Sequence, residues 1–217
     1  REAVRIEQDP KKEDPLDFAL WKKSKPGEPE YDSPWSKGRP GWHIECSAMS
    51  AKYLGQPFDI HAGGMDLVFP HHENEIAQSE ALTGTPFAKY WIHHGLLTIN
   101  GQKMAKSSGN FITIKDALKN YSPDDLKLFF LSAHYSSPVD FTDDKIKEVH
   151  KRIQNIQNLL SKAARIIRDP QLPGVMSSLG EAAFIKKHKS GFLEVMDDDF
   201  NTPRALGSID GLIHDTH

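Results

Sequence analysis

The stretch from residue 58 to residue 99 constrains the fold more than any other part of this chain. FDIHAGG (58–64) has the length of a strand and ends in a glycine turn, residues 71–82 read as a helix closed by Gly84, and YWIHHGLLTI (90–99) is the strongest strand signal in the sequence. Strand, helix, strand in that order is the pattern of a parallel α/β unit.

The segments on either side differ in character. Residues 1–40 are punctuated by Pro10, Pro15, Pro26, Pro29, Pro34 and Pro40, with one apolar island at Leu16, Phe18, Leu20 and Trp21, and read as connecting structure. Residues 42–54 place Ile44, Ala48, Met49 and Tyr53 on one face of a helix that carries Cys46. Further helices are predicted at 113–119 and 123–132, the second with Pro123 in its first turn and Asp124 and Asp125 favourable against the helix dipole. After Asp140 the pattern changes. Ile146, Val149, Ile153, Ile156, Leu160, Ala163 and Ile167 recur at spacings of three and four, the apolar stripe of a bundle helix of about six or seven turns. A Pro/Gly/Ser connection over 169–180 then leads to a helix over 181–196, expected to pack antiparallel to the first. No internal repeat is present. The expected division is a connecting segment (1–40), an α/β domain portion (41–140) and the start of a helical bundle (141–217).

Composition narrows the functional classes. With 217 residues, 38% apolar and 26% charged, the chain has the makeup of a globular protein with a sizeable core. No run approaches the ~18 uncharged apolar residues of a membrane span, so no membrane association is expected. A net charge of −3 gives no global basic field, and contact with nucleic acid needs a local patch. The single cysteine, Cys46, forms no intrachain disulfide, and no secretory or transit pattern opens the sequence; both point to the cytoplasm. The start at Arg1 and the charged, unpatterned tract over 1–13 suggest a piece of a longer protein.

Three groups of residues carry chemistry. His71 and Glu75, at i and i+4 of a helix, face the same way, so an imidazole nitrogen and a carboxylate oxygen can converge on one ion with the Cys46 thiolate arriving from the preceding helix. One sulfur, one nitrogen and one oxygen donor suit zinc better than magnesium or calcium; taken singly, Cys46 also fits a small buried hydrophobe and His71 a surface residue. Second, Gly63-Gly64-Met65-Asp66 follows a strand and precedes a helix, where small residues allow close approach to a nucleotide and Asp66 can accept from ribose hydroxyls; a tight turn with a solvated Asp fits equally. Third, Lys103, Lys106, Ser107 and Ser108 sit on a loop between Gly101 and Gly109 that can close over a polyphosphate; a solvated basic hairpin tip is the alternative. Trp42 and the His93-His94 pair are ambiguous between packing and chemistry.

Together, GRPGWHIECSAM (38–49), FDIHAGGMDLVFPHHENEIAQSEA (58–81), KMAKSSGNF (103–111) and DDDFNTPRAL (197–206) resemble the cysteinyl-tRNA synthetases, a family of class I aminoacyl-tRNA synthetases. The strings are long and run in order over most of the chain. The resemblance implies the second half of a Rossmann-like α/β catalytic domain followed by an α-helical bundle. It implies that L-cysteine is joined to ATP, with Mg²⁺, and then transferred to tRNA(Cys). It implies that Cys46, His71 and Glu75 hold one zinc ion, that Trp42 lines the cysteine pocket, and that Gly63, Gly64 and Asp66 lie at the nucleotide. The resemblance also implies that Lys106, with Lys103, acts on the phosphates as a catalytic residue of the KMSKS-like loop, and that the bundle contacts tRNA. A monomer is expected.

The chain departs from the family pattern in three ways. The family's further zinc cysteine and its HIGH-like tetrad belong to a first half of the catalytic domain that is absent here, so the chain alone is expected to be inactive. Ala105 replaces the serine of KMSKS while both lysines remain. Cysteine differs from serine by one atom, which shape rejects poorly, whereas a soft thiolate bonds zinc far better than a neutral hydroxyl; direct ligation would make editing unnecessary. Two other readings fit part of the pattern: a ligase joining activated cysteine to a sugar amine, and a non-catalytic zinc- and RNA-binding module.

Overall fold

The protein is described from a computed structural model, which covers residues 12–168 and 183–216. The charged start over 1–11 and the connection expected over 169–180 lie outside the described residues. The chain divides into two compact units, Arg1–His93 and His94–His217.

In the first unit the proline-rich segment forms a small clasp. Strands β1 (Trp21–Lys23) and β2 (Gly38–Pro40) pair antiparallel with Trp21 opposite Pro40, and the Trp21 indole N–H donates to the Ser36 carbonyl at 3.2 Å. The clasp leads directly into helix α1 (Trp42–Leu54), whose cap residue Gly41 donates its N–H to the Leu20 carbonyl at 2.7 Å. Strand β3 (Phe58–Gly64) follows, as predicted. The helix read over 71–82 starts later. A 3₁₀ turn (Met65–Leu67) and a wide turn (Val68–His72), broken at Phe69 by extended backbone (φ −134°, ψ 133°), precede α2 (Glu73–Thr83). Gly84, left-handed at φ 68°, ends α2 by donating to the Glu80 carbonyl at 2.8 Å. Strand β4 (Ala88–His94) then pairs with β3. The core beneath this pair is Phe58, Phe87 and Ala88, with Ile76 and Trp91 packed on it; Phe58 and Phe87 meet edge to face at 4.9 Å.

The second unit begins with a correction. The run 90–99 is two strands, with β4 ending at His94 and β5 (Leu97–Ile99) starting anew. The cause is Gly95. A Cβ there would stand 2.2 Å from the backbone carbonyl of Ser137 and 2.6 Å from the nitrogen of Pro138, and the Gly95 N–H donates to the Tyr135 carbonyl at 2.8 Å. Residues 135–137 thus occupy the edge along which a single strand would have continued. β5 is the centre of a three-stranded sheet, antiparallel to β6 (Gln102–Lys103) and parallel to β7 (Val139–Phe141).

The helices of this unit are α3 (Ile114–Ala117), α4 (Pro123–Leu131), α5 (Asp143–Arg168), α6 (Ala183–Asp197) and α7 (Thr202–Asp215). α4 opens with a capping box: the Ser122 hydroxyl accepts from the Asp125 N–H at 3.1 Å, and the Asp125 carboxylate accepts from the Ser122 N–H at 3.0 Å. Ala117, Leu126, Phe129, Ile146 and Val149 form the core, with Leu97, Val139 and Phe141 packed against it. The stripe on α5 is therefore buried at its N-terminal end, where it meets α4; Leu160 and Ile167, further along, are 62% and 63% exposed. α6 packs chiefly on α7 rather than on α5, a second difference from the sequence expectation. The helix at 202–215 was not foreseen, although Asn201 accepts from the Arg204 N–H as its cap, Pro203 lies in its first turn, and Ala205 and Leu206 are buried.

Candidate functional site

Three elements of the first unit bring side chains to one place. α1 carries Trp42, His43 and Cys46; β3 carries His61; and the turn into α2 carries His71 and His72, with Glu75 in the first turn of α2. The i and i+4 spacing survives the late start of α2, with His71 Nε2 2.7 Å from Glu75 Oε1. The donor atoms of Cys46, His71 and Glu75 all lie within 4.8 Å of one another, as the sequence reading requires. Glu75 is shared with a second set, His61, His72 and Glu75, equally close, in which His61 Nε2 is 2.8 Å from Glu75 Oε2.

The electrostatics of this cluster are unusual. Glu75 has no exposed surface; imidazole nitrogens of His71 and His61 stand 2.7 and 2.8 Å from its two oxygens without hydrogen-bond geometry, and the Cys46 thiol is the donor that interacts with the carboxylate. Burial, opposed in part by a hydrogen bond with the Cys46 thiol, pushes the Glu75 carboxyl up to about 7. The Cys46 thiol is pushed up to about 11 by burial and by the neighbouring Glu75 carboxylate. Burial, reinforced by neighbouring imidazoles, drives His72 down to about 4 and lowers His61; burial alone lowers His71. The site therefore gathers neutral imidazoles, a thiol and a buried carboxylate, all offering lone pairs. A cation would satisfy them, which is the observation by which these residues fit a metal.

The surroundings are aromatic. Trp42, 54% exposed, stacks on the His71 ring at 4.3 Å, and Trp91 packs against His61 at 4.8 Å. His72 Nδ1 lies 2.8 Å from His93 Nε2, so His93 is tied into the cluster while His94 contacts the Gly95 carbonyl. His43, His61 and His72 were not singled out from sequence. Their only signal is density: His43, His61, His71, His72, His93 and His94 are six of the eleven histidines, all within 52 consecutive residues.

The nucleotide candidates lie at the end of β3. Gly63 is pressed against His72, whose ring carbon Cε1 would be 2.7 Å from an added Cβ. Gly64 is buried, and Asp66 is exposed on the 3₁₀ turn. Gly63 thus has a packing role beside any ligand role.

In the second unit, Lys103 ends β6 and Lys106 opens a 3₁₀ turn (Lys106–Ser108), both exposed. Gly101 and Gly109 flank the loop with left-handed φ of 77° and 68°, a conformation open to glycine at no steric cost. Asn110 cross-braces it, accepting from the Ala105 N–H at 3.0 Å and donating to the Lys103 carbonyl at 3.2 Å. The Lys106 ammonium stands over the Phe111 ring, 5.4 Å from its centroid. At the base of the loop, Asp140 accepts from the Thr98 hydroxyl at 2.7 Å and the Gly101 N–H at 2.8 Å.

Comparison with known proteins bears on this arrangement. The family model described as the tRNA synthetases class I (C) catalytic domain matches residues 1–151, and the DALR domain matches 191–216. Proteins named cysteine–tRNA ligase are similar over nearly the whole chain. That of Sulfurihydrogenibium sp. is 56% identical over 98% of this chain and 43% of its own length, and that of Geobacter sulfurreducens 56% identical over 97% and 44%. The chain thus spans less than half the length of the curated relatives it matches. Among solved structures, Agrobacterium radiobacter LeuRS, in a ternary complex with tRNA and LeuAMS, aligns with a TM-score of 0.63 at 12% identity over 85% of this chain and 28% of its own. Mycobacterium tuberculosis methionyl-tRNA synthetase, in complex with methionyl-adenylate, aligns at 0.54 and 19% over 73% and 32%. At such identities these two speak to the fold alone.

Proposed function

The chain belongs to the family of class I (C) tRNA synthetase catalytic domains, and from that premise we propose that it takes part in the ATP-dependent activation of L-cysteine and the transfer of the cysteinyl group to tRNA(Cys). One observation carries the reading. The thiol of Cys46, the His71 imidazole and a fully buried Glu75 carboxylate converge beside the Trp42 indole, and the relatives similar over nearly the whole chain are named cysteine–tRNA ligase. Cys46, His71 and Glu75 are the residues that would hold zinc, one ion per chain. When bound, zinc supplies a soft Lewis acid that prefers a thiolate to a hydroxyl and so separates cysteine from serine.

The chain's own residues supply the rest. Trp42 walls the substrate pocket with a flat apolar face. Gly63, Gly64 and Asp66 receive the nucleotide, Asp66 accepting from ribose hydroxyls. Lys103 and Lys106 neutralise charge on the phosphates of Mg²⁺-bound ATP as pyrophosphate departs, and the glycine-flanked loop, braced by Asn110, delivers them. Residues 41–140 form part of the catalytic domain and 141–217 the start of the bundle that meets tRNA. A reduced lone thiol suits a cytoplasmic protein, and we assign it there as a monomer. Among the described residues, no helix is long and apolar enough to cross a membrane.

The test is ATP–pyrophosphate exchange and tRNA(Cys) charging by a longer polypeptide that joins this chain to an upstream HIGH-bearing segment. Exchange is expected with L-cysteine and not with L-serine, and to be absent from the 217-residue chain alone. Equal exchange with serine would contradict selection by the donor set.

A further inference from the structure

We propose that His43 is a positioning residue that fixes which nitrogen of His71 is free to bind the metal. The inference rests on the zinc reading above and concerns a residue outside the donor set. His71 faces two ways: its Nε2 is directed at the donor cluster, 2.7 Å from Glu75 Oε1, and its Nδ1 is 2.8 Å from Nδ1 of His43. A neutral imidazole carries one N–H and one lone pair. For His71 to offer its lone pair at Nε2, its proton must sit on Nδ1, and that N–H then needs an acceptor. His43 Nδ1 is that acceptor, which requires the His43 proton to be on its own Nε2. In the opposite arrangement His43 Nδ1–H donates to His71, whose Nε2 is then protonated toward Glu75 and closed to a metal. The two rings therefore form a coupled pair in which only one of two tautomer combinations opens the site.

The geometry holds His43 in place for this task. It precedes Cys46 by three residues on α1, so the helix that delivers the thiol also delivers the orienting imidazole. The edge of Phe18 meets its ring at 5.7 Å and Trp42 stacks on it at 5.4 Å, which leaves the ring little freedom to turn away. Metal-binding histidines generally donate their second N–H to such a partner, and removing the partner commonly weakens metal binding by ~10–100-fold.

The experiment measures zinc affinity by chelator competition in the longer polypeptide that joins this chain to the upstream HIGH-bearing segment, with Co²⁺ substitution to read the thiolate charge transfer to which Cys46 contributes. Three variants are compared with wild type: His43→Phe, which keeps an aromatic ring but no acceptor; His43→Asn, whose Oδ1 restores an acceptor near the position of Nδ1; and Cys46→Ala. Thermal melts of the metal-free forms check that each folds. The expected result is one zinc in wild type, lost in Cys46→Ala, with binding weakened ~10–100-fold in His43→Phe and largely restored in His43→Asn. Wild-type affinity in His43→Phe overturns the proposal, as does His43→Asn as weak as His43→Phe, since packing alone would then explain the loss. Wild-type protein without zinc, or Cys46→Ala retaining full affinity, overturns the zinc reading itself and the proposal with it, an outcome distinct from either His43 result.

Discussion

Replacing Glu75 by glutamine should make the metal-free protein more stable while removing its response to zinc. Glu75 is fully buried, and neither imidazole beside it meets its oxygens with hydrogen-bond geometry, so that the Cys46 thiol alone offsets the loss of water. A buried polar group left unsatisfied costs about 1–3 kcal/mol, more if charged. Glutamine has nearly the same shape, carries no charge, and offers its amide N–H to one of the two imidazole nitrogens that stand 2.7 and 2.8 Å from the present oxygens. The metal-free Glu75→Gln variant should therefore gain about 1–3 kcal/mol. At roughly 2–4 °C per kcal/mol for a chain of this size, that is a rise in Tm of several degrees. Zinc reverses the order. A ligand present at a hundredfold excess over its Kd stabilises the folded state by about 2.7 kcal/mol, a gain open to wild type and largely closed to the variant. Thermal denaturation followed by circular dichroism, once with a chelator and once with zinc, should show the two proteins exchanging rank. A metal-free variant less stable than wild type would mean that Glu75 already has its partners. Equal zinc-induced shifts in both proteins would mean that Glu75 is not a ligand.

Other substitutions test the rest of the reading. In the longer polypeptide, Lys106→Ala should slow adenylate formation far more than it weakens cysteine binding, and equal loss of both in single-turnover measurements would contradict its phosphate role. Ser122→Ala removes the cap of α4 and should cost about 1 kcal/mol in urea denaturation. Burial pushes the Asp125 carboxyl up, but hydrogen bonds from Ser122 and His150 outweigh it and the net shift is downward; its stabilising contribution is thus present above about 3.9 and lost as pH falls through the lower folded value. Ser122→Ala should therefore narrow the acid range over which stability is lost, and an unchanged acid limb would refute the assignment. Gly95→Ala, with its methyl 2.2 Å from the Ser137 carbonyl, should cost about 1–3 kcal/mol or more; unaltered stability would show that the backbone yields there.

The elements that sequence located well are those whose signals are local. β3 has the bounds its glycine turn implied, Gly84 stops α2 in a left-handed conformation, and Pro123 with its acidic neighbours opens α4. The failures share a cause in distant chain. The run 90–99 carries strand-forming residues on both sides of Gly95, and nothing within it records that residues 135–137 pass against that glycine and end the strand. Likewise the stripe on α5 is continuous in sequence, yet among the described residues only Ile146 and Val149 are buried, with Ile153 packed at their margin, and α6 turns instead to α7, a helix whose Gly207 and Gly211 dilute the pattern that would have announced it.

The same distinction governs the site. Cys46, His71 and Glu75 could be grouped because two of them keep helical spacing and the third is the only cysteine, and the resemblance to the synthetase family is what made a ligand set of them. His43 and His61 have neither advantage: each lies on a different element from the ligand it adjoins, and its contact with that ligand spans 28 residues for His43 and 14 for His61. What could have exposed them is an argument from valence rather than from spacing. A histidine that gives one nitrogen to a metal must settle the proton on the other, and a carboxylate that gives one oxygen leaves a second to be satisfied, so a buried His and Glu donor pair implies polar neighbours elsewhere in the chain. With histidine as dense as it is between residues 43 and 94, those neighbours are to be sought among the imidazoles first, and the position of His43 at Nδ1 of His71 agrees with that demand, while His61 stands 2.8 Å from Oε2 of Glu75 without closing a hydrogen bond.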